Sequence, residues 1–306
     1  MIDRKKFLKK FSFGLSLNIT MEEYKKILSK YKPYLSSAYF SLPLGKEFHT
    51  RIGVVQEYDQ EDADKKLMNI LGLLKDNNIK LEVVINQYNL REELLISAIE
   101  YLKNVMEIDA ICTLDEYVDI IRQYFPKIYL VSSFNNLKRN YDDIKNTNKQ
   151  YNQIVIGKNF MRDDKAMKLI KDSGFDTKLL LNNGCSFNCL SCRKGYECKN
   201  IFNQNLRHCT INELYAIQSF LPFELQYLED KIGIDRIKEF KLSSRPCTYE
   251  YLDNCLGSYL MLNNEYYYVN QHLKNYHLWC RLAHFNEFYG QLDLDEIIKI
   301  KEELWK

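Results

Sequence analysis

Hydrophobic residues along the chain follow two alternating rhythms. Short apolar or alternating runs of strand length are each followed by a segment with the three-to-four spacing of an amphipathic helix, and this unit recurs eight times. Phe11 to Leu17 reads as the first strand, and Thr20 with Glu23 makes a capping box that opens a helix to about Lys30. Ala38 to Pro43 is the second strand, followed by a long loop, Leu44 to Tyr58, and a helix over Asp62 to Lys75. Leu81 to Gln87 is the third, with a helix over Arg91 to Val105. Asp109 to Thr113 is the fourth, with a helix over Asp115 to Tyr124. Ile128 to Ser133 is the fifth, paired with a polar segment, Asn140 to Lys149. Gln153 to Gly157 is the sixth, with a helix over Asp163 to Ser173 that Gly174 stops. Thr177 to Asn182 is the seventh and runs directly into a group of cysteines. Ile237 to Leu242 is the eighth, with a helix over Thr248 to Leu260.

Eight alternating units in one chain of this size predict an α/β fold, a closed (β/α)8 TIM-like barrel over residues 1–260 with a cysteine-bearing insertion at 183–210. An open doubly wound sheet usually has fewer strands and a Gly-rich nucleotide turn, and no such turn is present. Residues 261–306 form an aromatic-rich C-terminal helical extension with Tyr266, Tyr267, Tyr268, Tyr276, Trp279, Phe285, Phe288 and Tyr289, ending in an amphipathic stretch, Leu292 to Trp305. It is expected to pack on the barrel, with a dimer surface as the other reading.

Composition narrows the class. At 306 residues, 46% hydrophobic and 27% charged, the chain is neither a disulfide-dense miniprotein nor a disordered tail. Lys plus Arg is 43 against 41 for Asp plus Glu, and a net charge of +2 gives no broad basic field, so nucleic acid is a disfavoured partner, although a local basic pocket stays open. With only 11 Gly and 5 Pro, irregular structure should be short. No apolar run reaches the roughly 20 residues of a membrane span. Phe11 to Ile19 is interrupted by Ser and Asn and lacks a small-residue cleavage site, so the expected location is cytoplasmic with no membrane partner.

Nine cysteines, five of them crowded into Cys185 to Cys209, do not suit a secreted disulfide framework, which spreads its cysteines for loop closure. Cys185, Cys189 and Cys192, then Cys198 and the pair His208-Cys209, have spacings that let thiolates converge on one inorganic centre. Soft sulfur ligands select iron-sulfur clusters or zinc. Only one Cys-x-x-Cys pair, Cys189 and Cys192, is present, where structural zinc usually shows two such pairs. The expected group is a 4Fe-4S cluster on Cys185, Cys189, Cys192 and Cys209, with zinc as the alternative and Cys198 or His208 as other fourth ligands. Cys112, Cys255 and Cys280 read as core residues. Cys247, after Arg245-Pro246, lies where it can enter the mouth.

Active residues of such barrels project from the C-terminal ends of the strands. His49, Arg51, Asn86, Gln87, Thr113, Ser132, Ser133, Lys158, Asn159, Arg162, Asn182, Asn183, Ser243, Ser244 and Arg245 fall there. Arg51, Arg162 and Arg245 together fit an anionic substrate, because a planar guanidinium pairs carboxylate or phosphate in a bidentate way.

Two resemblances follow from these residues. Cys185-x3-Cys189-x2-Cys192 resembles the radical S-adenosylmethionine signature, in which three cysteines hold a four-iron cluster whose open iron binds the cofactor; there the motif follows the first barrel strand, and here it follows the seventh. The cysteine loop after Leu179-Leu180-Leu181-Asn182, followed by Ile237 to Arg245 and Tyr251, is similar to the collagenase-like (U32-type) peptidase family. That family pairs a cysteine-bearing loop with a later Lys-x-x-x-Arg strand and a Tyr-bearing helix. Lys241 and Arg245 match the strand motif, which adds Lys241 to His49, Arg51, Arg162 and Arg245 as substrate-binding candidates. The resemblance implies a barrel and iron-sulfur-dependent hydroxylation. Peptidase chemistry has no assembled nucleophile and base here. The expectation is an iron-sulfur oxidoreductase acting on a small or medium anionic substrate, a small molecule or modified residue, with an electron donor and a homo- or heterodimer as partners. The other readings are a radical S-adenosylmethionine enzyme and a non-catalytic barrel whose loop is pinned by zinc.

Overall fold

The computed structural model describes residues 2–45, 48, 62–136, 138, 140–156, 160–182, 220, 222, 224–242, 247–260 and 302. Eight parallel strands close into a barrel in chain order: β1 (Phe11–Gly14), β2 (Leu35–Phe40), β3 (Lys80–Ile85), β4 (Ala110–Thr113), β5 (Tyr129–Ser132), β6 (Gln153–Ile156), β7 (Asp176–Leu180) and β8 (Glu239–Leu242). Between them lie α1 (Met21–Tyr31), α2 (Ala63–Asp76), α3 (Glu92–Val105), α4 (Val118–Tyr124), α5 (Tyr141–Lys145), α6 (Asp164–Asp172) and α7 (Glu224–Lys231), and α8 (Tyr249–Tyr259) follows β8. The fold is the (β/α)8 barrel that the hydrophobic periodicity predicts.

Several boundaries differ from the sequence reading for local reasons. The strand β2 starts at Leu35, before Ala38, because a 3-10 turn over Lys32–Tyr34 with Pro33 in its first turn delivers the chain directly into register; a bulge between Phe11 and Ser12 absorbs the misfit. The helix α7 has no counterpart in the periodicity. Its buried residues are Glu224, Leu225 and Leu228, so two apolar positions are all that mark its inner face. Thr20 and Glu23 do form the capping box at α1, and Gly174, at φ +84, ends α6 as read.

Two apolar regions hold the barrel. The larger lies between the outer faces of the strands and the helices. At the seam where the first and last strands meet, Phe11 pairs with Phe240 and Phe13 with Leu242. Phe7, Phe11, Phe240 and Tyr259 stack there as tilted rings with centroids 5.5 to 6.5 Å apart, joining the lead-in turn, β1, β8 and α8. The smaller region, Tyr39, Val84, Ala110, Cys112, Val131, Val155 and Leu180, fills part of the barrel interior. Of the C-terminal extension only Glu302 is described, and it accepts a hydrogen bond from the Tyr227 hydroxyl of α7 at 2.9 Å. No helix among the described residues is long and apolar enough to cross a membrane.

The closing seam gives a direct test. Phe240→Ala removes a fully buried β8 ring that stacks on Phe7 and Phe11 and should cost about 3–5 kcal/mol of unfolding free energy, measured by denaturant titration.

Candidate functional site

Side chains alternate across each strand, so every second position faces the barrel axis. With the stagger that closes an eight-stranded barrel, the inward positions fall into layers of four from alternate strands. From the register, Ser37, Ala110, Gln153 and Glu239 form a lower layer. Ser12, Glu82, Val131 and Lys178 form the middle one. Tyr39, Cys112, Val155 and Lys241 form the upper of these three layers, with the inward positions of Gly14, Val84 and Leu180 between it and the C-terminal mouth. Barrel interiors of this type are usually apolar and branched. Here four of the inward positions carry full charges, and they meet.

Lys178 is fully buried, with its ammonium 2.6 Å from Glu82 Oε2 and 2.9 Å from Glu239 Oε2. Glu239 Oε1 also accepts from the hydroxyls of Ser36 at 2.6 Å and Ser37 at 2.9 Å, and Ser37, its one proton used there, accepts from the Ser12 hydroxyl at 2.8 Å. Lys241 lies 3.4 Å from Glu82 Oε1 and 3.9 Å from the centroid of the Tyr39 ring, whose hydroxyl donates to the Leu242 carbonyl at 2.6 Å. Burial by itself would lower Lys178, but Glu239 and Glu82 outweigh it and hold the ammonium above the ordinary lysine range. Burial likewise pushes Glu239 up, and Lys178 with Ser36 and Ser37 overcomes it, holding the carboxyl at about 2. The Cys112 thiol is raised, chiefly by burial, against the pull of Lys241. It is a neutral thiol at physiological pH.

The rim above these layers is tied together by side-chain amides and hydroxyls. Asn86 donates to Ser133 at 3.0 Å, and Asn136 donates to Ser132 at 2.9 Å and to the Thr113 carbonyl at 3.2 Å, linking the ends of β3, β4 and β5. Beyond β1, Ser16 donates to the Cys247 carbonyl at 2.8 Å and accepts from the Cys247 N–H at 3.0 Å, which locks the exits of β1 and β8 together. Cys247 belongs to the outer apolar cluster, away from the interior layers. Cys255 is buried in α8, as read, and Cys112 is buried too, but inside the barrel beside the ions.

At the exit of β7 two connections frame the chain on either side of residues 183–219. Asn182 donates to the Tyr251 hydroxyl at 2.9 Å, which gives the Tyr of the α8 helix a defined contact. On the other side, Phe220 donates its N–H to the Leu181 carbonyl at 2.8 Å and accepts from the Tyr259 hydroxyl at 2.6 Å. Arg162 covers the Phe220 ring at 4.9 Å and donates from Nε and Nη2 to Glu224 Oε1 at 2.9 and 2.6 Å. Glu224 is fully buried, so the Arg162 charge is balanced by a carboxylate in its own wall.

Of the residues singled out from the sequence, the structure therefore shows Lys241 inside the mouth and Arg162 at the root of the 183–219 segment. His49, Arg51, Arg245, Cys185, Cys189, Cys192, Cys198, His208, Cys209 and Cys280 lie outside the described residues, as do Lys158, Asn159, Asn183, Ser243 and Ser244. Among the described residues no group of His, Cys, Asp and Glu side chains is arranged to hold a metal ion. Sequence reasoning missed Lys178, Glu82, Glu239 and Tyr39. A charged residue in the middle of a short strand flanked by apolar neighbours, as in Thr177-Lys178-Leu179 and Leu81-Glu82-Val83, is the signal that marks them.

No family model matches the chain, and no curated protein matches it. Among solved structures, the U32 peptidase Mk0906 superposes with a TM-score of 0.51 at 11% identity, covering 77% of this chain and 92% of that one. The tryptophan synthase A-subunit of Pyrococcus furiosus gives a TM-score of 0.40 at 8% identity over 92% of this chain and 98% of its own. The likeness to Mk0906 is one of fold and agrees with the closed parallel barrel.

The buried ion set governs stability in acid and in mutants. Glu239 is ionised more readily folded than unfolded, so its stabilisation is present above the usual carboxylate range and is lost as pH falls through about 2. Between about pH 4 and pH 2 this amounts to on the order of 3 kcal/mol. Glu239→Gln should remove that part of the acid dependence, followed as unfolding free energy against pH. Lys178→Met leaves two carboxylates in a dry interior without their shared cation and should cost about 3–5 kcal/mol in denaturant titration.

Proposed function

We propose that the chain is an enzyme whose reaction takes place at the C-terminal mouth of the barrel, with a 4Fe-4S cluster held by Cys185, Cys189, Cys192 and Cys209. The observation that carries this reading is the position of the segment's two roots. Leu181 and Phe220 share a backbone hydrogen bond, so the described residues that flank 183–219 in the sequence meet at the C-terminal end of β7, on the face where barrel enzymes keep their chemistry. Cys185 comes only three residues after Asn182, and Lys241, the interior cation nearest that face, belongs to the neighbouring strand.

The donor set suits the group. Thiolates with one Cys-x-x-Cys pair and irregular outer spacing are compatible with cubane ligation, and a cluster supplies one-electron transfer, or Lewis acidity at an open iron. The chain's own residues have separate tasks. Arg51 and His49, which follow β2 in the sequence, and Arg245, which follows β8, receive the anionic part of a small or medium substrate. Lys241 forms the floor of the mouth. Arg162, paired with Glu224, acts on the substrate through the wall it holds. An electron donor is required for the redox reading.

Anaerobic purification with analysis of iron, acid-labile sulfide and zinc tests the reading. The expected result is a brown protein with about four irons per chain, falling in the Cys185→Ser, Cys189→Ser, Cys192→Ser and Cys209→Ser variants. One zinc per chain, or iron content unchanged in all four variants, overturns it.

A further inference from the structure

We infer that Lys241 donates a hydrogen bond to an uncharged carbonyl oxygen of the substrate at the floor of the barrel mouth, and is not the counter-charge for its anionic group. The inference rests on the reading of the C-terminal mouth as the substrate site and deepens it.

Lys241 stands in the uppermost charged layer, and the inward positions above it are Gly14, Val84, Ser133 and Leu180, of which Gly14 contributes no side chain. The residue is 9% exposed. Its ammonium has three donors and, among the described residues, one hydrogen bond, the 3.4 Å contact with Glu82, plus the face of the Tyr39 ring. Tyr39 turns its hydroxyl away to the Leu242 carbonyl, so it presents only π density to the ammonium. Donor capacity therefore remains among the described residues, in a nearly dry setting one layer below the last inward positions of the strands.

The charge count then selects the partner. Lys178 and Lys241 face Glu82 and Glu239, two cations against two anions, joined by contacts of 2.6, 2.9 and 3.4 Å. This set is neutral before any ligand enters. A carboxylate or phosphate placed on Lys241 would leave the interior with an excess negative charge beside Glu82, and burying an uncompensated charge is costly. A carbonyl oxygen accepts an N–H without altering the balance, and a charged donor makes that bond stronger than a neutral one would. The other members of the layer, Val155 and the neutral Cys112 thiol, add no charge to favour an anion. The amide or ketone end of a substrate thus suits the floor.

The test uses two probes of matched shape that differ in charge, acetamide and acetate, titrated against the full chain by ligand-observed NMR. Wild type should bind acetamide about tenfold or more tighter than acetate, and loss of the Lys241 donor should weaken acetamide by about tenfold or more. Because Lys241→Met by itself leaves one carboxylate uncompensated, the double variant Lys241→Met/Glu82→Gln, in which Lys178 and Glu239 still balance, serves as the folded control and is checked by circular dichroism. Equal or tighter acetate binding, acetamide binding unchanged in the double variant, or no binding of either probe overturns the inference. Iron content of the same preparations separates the two claims. Iron present with acetate preferred removes the carbonyl assignment alone, and iron absent with acetamide preferred removes the cluster alone.

Discussion

A closed barrel of eight strands has to fill its own interior, and this one fills the middle of it with charge. Lys178 makes that workable. Fully buried between Glu82 and Glu239, it bridges two carboxylates that could not be buried separately, Lys241 on Glu82 brings the set to neutrality, and Ser36 and Ser37 satisfy the Glu239 oxygen that faces away from Lys178. Hydrophobic packing of the same volume would be at least as stabilising in general. What the ions add is a fixed orientation of strands β3, β7 and β8 around one point, because a pair of bonds at 2.6 and 2.9 Å tolerates little rotation or slippage.

That fixed point lies directly beneath the mouth. Glu82 contacts Lys178 through one oxygen and Lys241 through the other, so the well-bonded lower pair holds the less satisfied upper ammonium in place. The rim is braced independently, by the Asn and Ser bonds that link the ends of β3, β4 and β5 and by the Ser16–Cys247 exchange across the seam. Around β7 the helix α8 supplies two tyrosine hydroxyls, Tyr251 to Asn182 and Tyr259 to Phe220, on either side of the cysteine-bearing segment. The described residues that flank this segment, Asn182 and Phe220, are thus both tied to one helix.

The eight strands were legible because each is a short apolar run bounded by polar turns, and because helix starts such as Thr20-x-x-Glu23 carry their own chemistry. The helix α7 was not, since with Glu224 on its buried side it lacks the apolar stripe that periodicity detects; the partner that makes that burial tolerable, Arg162, is 62 residues away. Arg162 illustrates the same limit from the other side. A strand-end arginine suggests an anionic ligand, and its carboxylate partner comes from a helix that sequence reading does not find.

The amino-acid sequence by itself determined the (β/α)8 class and the place of the cysteines after the seventh strand, because periodicity, spacing and order along the chain are local properties; Lys241 entered only through a resemblance to a family's strand motif. Tertiary structure alone decided that Lys178, Glu82, Glu239 and Lys241 form one neutral set, and that Cys112 stands beside it. Those residues come from β3, β4, β7 and β8, and only closure of the barrel brings strands so far apart in the chain within bonding distance of each other.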